Sequence, residues 1–196
     1  KLNLMEKLTG LKKVKTAVFI SGTGSNLKNL IKFSKIKKSP ISIDLVISSV
    51  NKAKGLKYAH QFNIKNKIFN FQNIKIAEKN ILTLVKKEKI KFICLAGFMR
   101  VLSKDFIKEF NGKIVNIHPS LLPKYKGLNT HQRVIKNKDK FSGCTVHYVT
   151  TKLDSGKIIM QKRIKVTTTD NLTSLTKKIL AQEHKLYPAA ILKIFN

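Results

Sequence analysis

The hydrophobic pattern of this chain changes period repeatedly. Val14–Ser21, Ile41–Val50, Lys67–Phe69 and Lys91–Ala96 are short runs rich in β-branched or aromatic residues, which predicts buried strands. Between them, Leu27–Lys37, Ala53–Phe62 and Ile74–Lys89 place apolar residues at the i, i+3, i+4 spacing of helices, with lysines on the outer face of the last. Strands alternating with helices at this rhythm predict a parallel, doubly wound sheet, in which ligands bind at the C-terminal edge of the strands. Further along, Ser103 is placed to cap a helix, Ile114 to His118 reads as another strand, and Asn129–Lys138 as a short helix. Cys144–Thr151 and Gly156–Val166 predict two strands joined by Lys152–Gly156, a link short enough to make them antiparallel. Asp170 or Asn171 caps a closing helix, Leu172–Ile194. The expected fold is α/β: a mostly parallel, Rossmann-like sheet with a C-terminal antiparallel strand and a long final helix.

Length and composition narrow the class. With 196 residues and 42% hydrophobic content, the chain is long enough for one domain with a core, expected over 14–196 after a basic N-terminal extension, 1–13. No apolar run approaches the roughly 18 residues of a membrane span, and Lys1–Lys15 lacks the apolar stretch and cleavage site of a secretory signal. Cys94 and Cys144 sit in apolar runs without metal or redox spacing and are expected to be reduced and buried, in a cytoplasmic setting. The net charge of +30 invites a polyanion partner. The lysines are nevertheless spread along the whole chain with few interleaved aromatics, a pattern of compositional drift, so no dedicated nucleic-acid partner is expected.

Four stretches carry the chemically capable residues. Ser21-Gly22-Thr23-Gly24-Ser25-Asn26 links a strand to a helix; its glycines permit a sharp turn and close approach of a ligand, and the helix N-terminus offers free N–H groups to a phosphate. It has neither the Lys-Ser/Thr ending of a Walker loop nor a third glycine, and a plain turn capped by Ser25 or Asn26 is the alternative. Gly97–Leu102 leaves the Lys91–Ala96 strand. Residues 113–133 run from a strand into a loop stiffened by Pro119 and Pro123. Asn116 and His118, two apart on the strand, point to one side. Asp154 precedes Ser155-Gly156, where an aspartate by itself is ordinary turn chemistry.

Ser21-Gly22-Thr23-Gly24-Ser25-Asn26-Leu27, Leu95–Ser103, Asn116-Ile117-His118-Pro119-Ser120-Leu121-Leu122-Pro123-Lys124-Tyr125 and Leu153-Asp154-Ser155-Gly156 together resemble the phosphoribosylglycinamide formyltransferase family, over about residues 14–190. The resemblance implies transfer of a formyl group from 10-formyltetrahydrofolate to the amino group of glycinamide ribonucleotide in purine synthesis, without a metal. It assigns the catalytic positions to Asn116, His118 and Asp154. The folate co-substrate falls to Met99, Arg100, Val101, Leu102, Asn116, Thr150 and Asp154, and the ribonucleotide to Gly24, Ser25, Asn26 and Glu183. Only small-molecule partners are implied, with the chain a monomer or homodimer. Lys126 replaces the family's usual proline, predicting a looser loop, and residues 63–75 hold no arginine to contact folate.

Related alternatives stay open. Methionyl-tRNA formyltransferase carries a further C-terminal domain, and formyltetrahydrofolate hydrolase adds an N-terminal regulatory domain; neither is expected from this sequence. A basic nucleic-acid-binding protein or a non-catalytic folate binder would bind without needing Asn116, His118 or Asp154.

Overall fold

The structure is a computed structural model describing residues 12–196; residues 1–11 of the basic extension lie outside the described residues. Contacts divide the chain into two compact units. One holds residues up to Arg100 with Phe110–Lys113 and Phe195, the other Val101–Glu109, Ile114–Ile194 and Asn196.

In the first unit four strands, β1 (Val14–Ile20), β2 (Ile41–Ser48), β3 (Lys65–Ile68) and β4 (Phe92–Leu95), pair in parallel in the order β3-β2-β1-β4. Parallel neighbours need crossovers, and these contain α1 (Ser25–Lys35), α2 (Leu56–Gln61) and α3 (Ile74–Lys87). β1 is central, and Ala17, Val18, Phe19 and Ile20 are all fully buried, as its unbroken apolar run requires. The amphipathic α1 buries Leu27, Leu30 and Ile31 completely. Each such side chain stabilises the fold by about 1.5–3 kcal/mol relative to exposure. β3 begins at Lys65 rather than Lys67, because the polar Lys65 and Asn66 pair with Leu45 and Val46 along a sheet edge.

In the second unit β5 (Lys113–His118), β6 (Phe141–Tyr148) and β7 (Ile158–Lys165) form antiparallel ladders in the order β5-β6-β7. Antiparallel pairing was expected only between the last two strands; it begins one ladder earlier, because β6 runs against β5 as well. α4 (Lys104–Glu109) is capped by Ser103, whose Oγ accepts the Phe106 N–H at 3.1 Å. α5 (Thr130–Lys136) follows the long loop after β5. α6 (Leu172–Phe195) starts at Asn171 in a reciprocal cap, with the Ser174 N–H bonded to Asn171 Oδ1 and the Asn171 N–H to Ser174 Oγ, each at 3.0 Å. Asp170 is thus not the cap; it accepts hydrogen bonds from Lys178, Ser174 and Thr167, which together pull its carboxyl well below the usual range. α6 buries Leu175, Ile179, Leu186, Tyr187, Ala190 and Ile191. Among the described residues no helix is long and apolar enough to cross a membrane.

Candidate active site

The three residues assigned to catalysis by motif meet in the second unit. Asn116 and His118 lie at the end of β5, where the period of two puts both on one face. Asp154 sits between β6 and β7 in a left-handed conformation (φ 45°) that a non-glycine residue adopts only at a cost. The turn behind it needs glycine, since a Cβ on Gly156 would lie 1.7 Å from the Tyr148 carbonyl oxygen. Asp154 Oδ2 accepts the Gly127 N–H at 2.8 Å and lies 3.4 Å from His118 Nδ1, with both side chains almost completely buried. Burial strengthens this pairing, because little water screens it.

The other imidazole nitrogen, His118 Nε2, donates to the Tyr125 carbonyl at 2.8 Å. Both nitrogens of His118 therefore face acceptors. Tyr125 adopts φ 57°, and its ring is anchored from the far side: its hydroxyl donates to Asp139 Oδ2 and accepts from Asn137 Nδ2, each at 2.7 Å, while Lys124 binds Asp139 Oδ1 at 2.8 Å. Ser120 Oγ donates to the Lys124 carbonyl at 2.6 Å. These residues hold the His118 acceptor in place, and nothing in their spacing announces it.

The loop expected to be loose is tied. Lys126 Nζ donates to Ser155 Oγ and its carbonyl accepts from Arg133 at 2.7 Å, so the loop after β5 is laced to the Asp154 loop at both Lys126 and Gly127. An amine has taken over the restraint that a proline ring would give.

Two further histidines, absent from the motif reading, stand near His118. His147 on β6 is paired in register with Asn116 and is 2% exposed. Its Nε2 lies 3.3 Å from Asn116 Nδ2 and 3.6 Å from Asp154 Oδ1, and its Nδ1 is 2.9 Å from the Tyr148 carbonyl oxygen. Burial holds its pKa below the ordinary imidazole value, outweighing the pull of the Tyr148 carbonyl and Asp154. His131 on α5 is lowered for the same reason, with His118 adding to it, and its buried Nδ1 has no hydrogen-bond partner. The strand pairing of Asn116 with His147 was the missed signal.

In the first unit the Ser21–Asn26 loop leads into α1. Gly24, not Ser25 or Asn26, is the N-cap; it has φ 75° and no side-chain capping bond, and Ser25 and Asn26 are the first helical residues. A Cβ on Gly24 would stand 2.4 Å from Gly55 Cα, so two loops meet there backbone to backbone. Gly24 has no side chain with which to cap this 11-residue helix. The Gly97–Arg100 segment is bonded to the same loop: the Met99 N–H donates to Ser21 Oγ at 2.8 Å and the Ser21 N–H to the Gly97 carbonyl at 3.0 Å. Phe98 packs edge-on against Phe19 and Phe71, with centroids 5.4 and 5.5 Å apart, leaving Met99 and Arg100 exposed.

The remaining assigned residues fall in the second unit with mixed outcomes. Val101 is exposed, whereas Leu102 is buried and offers a ligand only its backbone. Thr150 is exposed, its hydroxyl bonded to the Lys152 carbonyl at 3.2 Å. Glu183 is buried on α6. The Cys144 thiol is pushed up to about 12, by burial first and by the charge of Glu183 second. Among the described residues no group of three or more His, Cys, Asp or Glu is arranged to hold a metal ion.

Comparison with known proteins follows the same lines. The family model described as Formyl transferase matches residues 14–191. The trifunctional purine biosynthetic protein adenosine-3 of Homo sapiens is 41% identical over 92% of this chain, which spans only 18% of that protein's length. The phosphoribosylglycinamide formyltransferase of Haemophilus influenzae is 39% identical over 90% of this chain and 85% of its own. The crystal structure of the Brucella melitensis phosphoribosylglycinamide formyltransferase superposes with a TM-score of 0.88 at 40% identity, covering 93% of this chain and 96% of that one.

Proposed function

Since the chain belongs to the formyl transferase family, we propose that it transfers a formyl group from 10-formyltetrahydrofolate to the amino group of glycinamide ribonucleotide, with Asn116, His118 and Asp154 as the catalytic residues. The observation that carries the reading is the buried approach of Asp154 to His118, beside Asn116 on the same strand end. The folate supplies an activated formyl carbon. Bond formation from the neutral amine builds negative charge on the formyl oxygen, the C–N bond to the folate breaks, and the amine's proton leaves for the folate nitrogen.

Each residue has a role its surroundings permit. Asn116 donates an N–H to the developing oxyanion, an interaction whose loss costs about 10²–10³ in rate in other enzymes. A protonated His118 places positive charge beside that oxygen; with Nε2 bonded to the Tyr125 carbonyl, it stabilises chiefly through the field unless the ring turns. Asp154 balances that cation and receives the amine's proton, directly or through water. Gly127, by bonding Oδ2, orients the carboxylate without neutralising it.

Binding roles follow the chemistry of the loops. The N-terminus of α1, with Gly24, Ser25 and Asn26, receives the ribonucleotide phosphate, and Glu183 is assigned to the ribonucleotide away from its phosphate. The Met99–Leu102 segment presents backbone groups with the exposed apolar side chains of Met99 and Val101, which suits the edge and faces of a flat heterocycle; Thr150 and Asp154 are assigned to the same co-substrate. The chain acts in the cytoplasm as a monomer or homodimer.

The test follows the absorbance change on formyl loss, with and without the ribonucleotide. Turnover that requires the ribonucleotide, and falls about 10²–10⁴-fold in Asp154→Asn, supports the assignment. Turnover without ribonucleotide makes the protein a hydrolase, and an unimpaired Asp154→Asn removes that residue from the mechanism.

A further inference from the structure

We infer that His147 is a positioning residue for this transfer: its Nε2 lone pair fixes which end of the Asn116 amide faces the reacting formyl group. The inference rests on the proposed reaction for its consequence, but on strand geometry for the contact itself.

Asn116 and His147 are directly paired across β5 and β6, so their side chains leave the sheet on the same face as near neighbours. His147 Nδ1 faces only a carbonyl, that of Tyr148 at 2.9 Å, and a carbonyl can only accept. Nδ1 therefore carries the proton. In the neutral ring Nε2 is then an acceptor, and at 3.3 Å it takes one N–H of Asn116 Nδ2. A side-chain amide has two ends of nearly equal size, and rotation by half a turn would present the oxygen instead. An oxygen turned toward the developing oxyanion would repel it. With one N–H committed to His147, the second N–H on the same nitrogen remains for the substrate.

The neutral state of the ring matters for Asp154 too. A charged His147 would set a donor against the Asn116 donor and aim its Nε2–H at Asp154 Oδ1, 3.6 Å away, competing with His118 for the one carboxylate. Burial at 2% exposure opposes that charge. One histidine is thus kept for the cationic role, while its neighbour serves as a fixed acceptor.

Two measurements on the full chain test this. Long-range proton–nitrogen correlation spectra of the wild-type imidazoles at neutral pH read the tautomer without reference to activity. The expected pattern for His147 is Nδ1 protonated and Nε2 bare; an Nε2–H tautomer or a charged ring overturns the inference. Steady-state kinetics then compare His147→Leu with His147→Gln, whose Oε1 stands as many bonds from Cα as Nε2 does. The leucine variant is expected to lose about 10–100-fold in kcat, less than outright loss of an oxyanion donor, with both KM values within about threefold. The glutamine variant is expected to recover most of that loss. Equal kcat in the two variants, or a loss confined to KM, contradicts a positioning role. Should the wild type transfer no formyl group, the reaction falls while the spectra still decide the contact.

Discussion

Gly24 and Gly97 offer a controlled pair for the phosphate loop. Both have positive φ, 75° and 68°, so an alanine at either meets the same left-handed penalty of about 1–2 kcal/mol. They differ in surroundings. A Cβ at Gly97 meets nothing within 4 Å, whereas one at Gly24 would lie 2.4 Å from Gly55 Cα and 3.4 Å from Tyr58, and backbone cannot swing aside as a side-chain tip does. Gly24→Ala must therefore push α1 and α2 apart, adding a further roughly 1–3 kcal/mol of overpacking. For a chain of this size a kilocalorie moves Tm by about 2–4 °C, so Gly24→Ala is expected to melt about 4–20 °C below wild type and Gly97→Ala only about 2–8 °C below. The displacement also moves the α1 N-terminus, so KM for the ribonucleotide rises in Gly24→Ala while KM for the folate changes little. Differential scanning calorimetry and initial rates on both variants decide it. Equal melting temperatures would refute the loop-to-loop contact, and an unchanged ribonucleotide KM would remove the phosphate from this loop.

Tyr125→Phe leaves the ring in place but takes a hydrogen-bonding partner from Asp139 and Asn137; a loss of about 1–2 kcal/mol in urea unfolding, with a lower kcat from a less firmly held Tyr125 carbonyl, is expected. Cys94 and Cys144 are buried, and the Cys144 thiol is raised to about 12, so neither is expected to react with a thiol reagent at neutral pH until the protein is unfolded. His131, His147 and His184 are all lowered by burial, so below the unfolded value of about 6.5 the unfolded chain binds more protons than the native one. Stability is accordingly full above about pH 6.5 and declines as the pH falls through that value toward the lower native ones; a denaturation midpoint flat between pH 7 and 5 would contradict these burials.

Much of this was readable from the chain, and the failures share a cause. Apolar runs located β1, β2 and β4 because their buried segments, Ala17–Ile20, Leu45–Ile47 and Phe92–Leu95, leave no polar position to alternate. The pair Asn116 and His118 was legible because a strand's period of two is a local property. What escaped was pairwise and distant. Gly55 lies in an ordinary-looking loop, and only its contact with Gly24 makes it necessary. His147 reads as one polar residue in a strand until the β5–β6 register sets it against Asn116. Tyr125 and Asp139 are bonded across 14 positions. Ser25 and Asn26 have the right chemistry for a cap, but Gly24, with its left-handed backbone, starts the helix one residue earlier. Glu183 lies at helical spacing between Ile179 and Tyr187, on the face that α6 buries, a placement its charge alone disguises. Lys126 was read by what it lacks, a proline ring, and not by what its long side chain reaches.

The most direct test of the central claim is to follow the formyl carbon itself. Incubating the protein with 10-formyltetrahydrofolate labelled at the formyl carbon, together with glycinamide ribonucleotide, and analysing the products by mass spectrometry assigns the acceptor without inference from rates. Label appearing on the ribonucleotide as one added formyl group, and lost in parallel in Asp154→Asn, is the predicted result. Label released as formate, or retained in the folate while the ribonucleotide stays unmodified, would contradict the account.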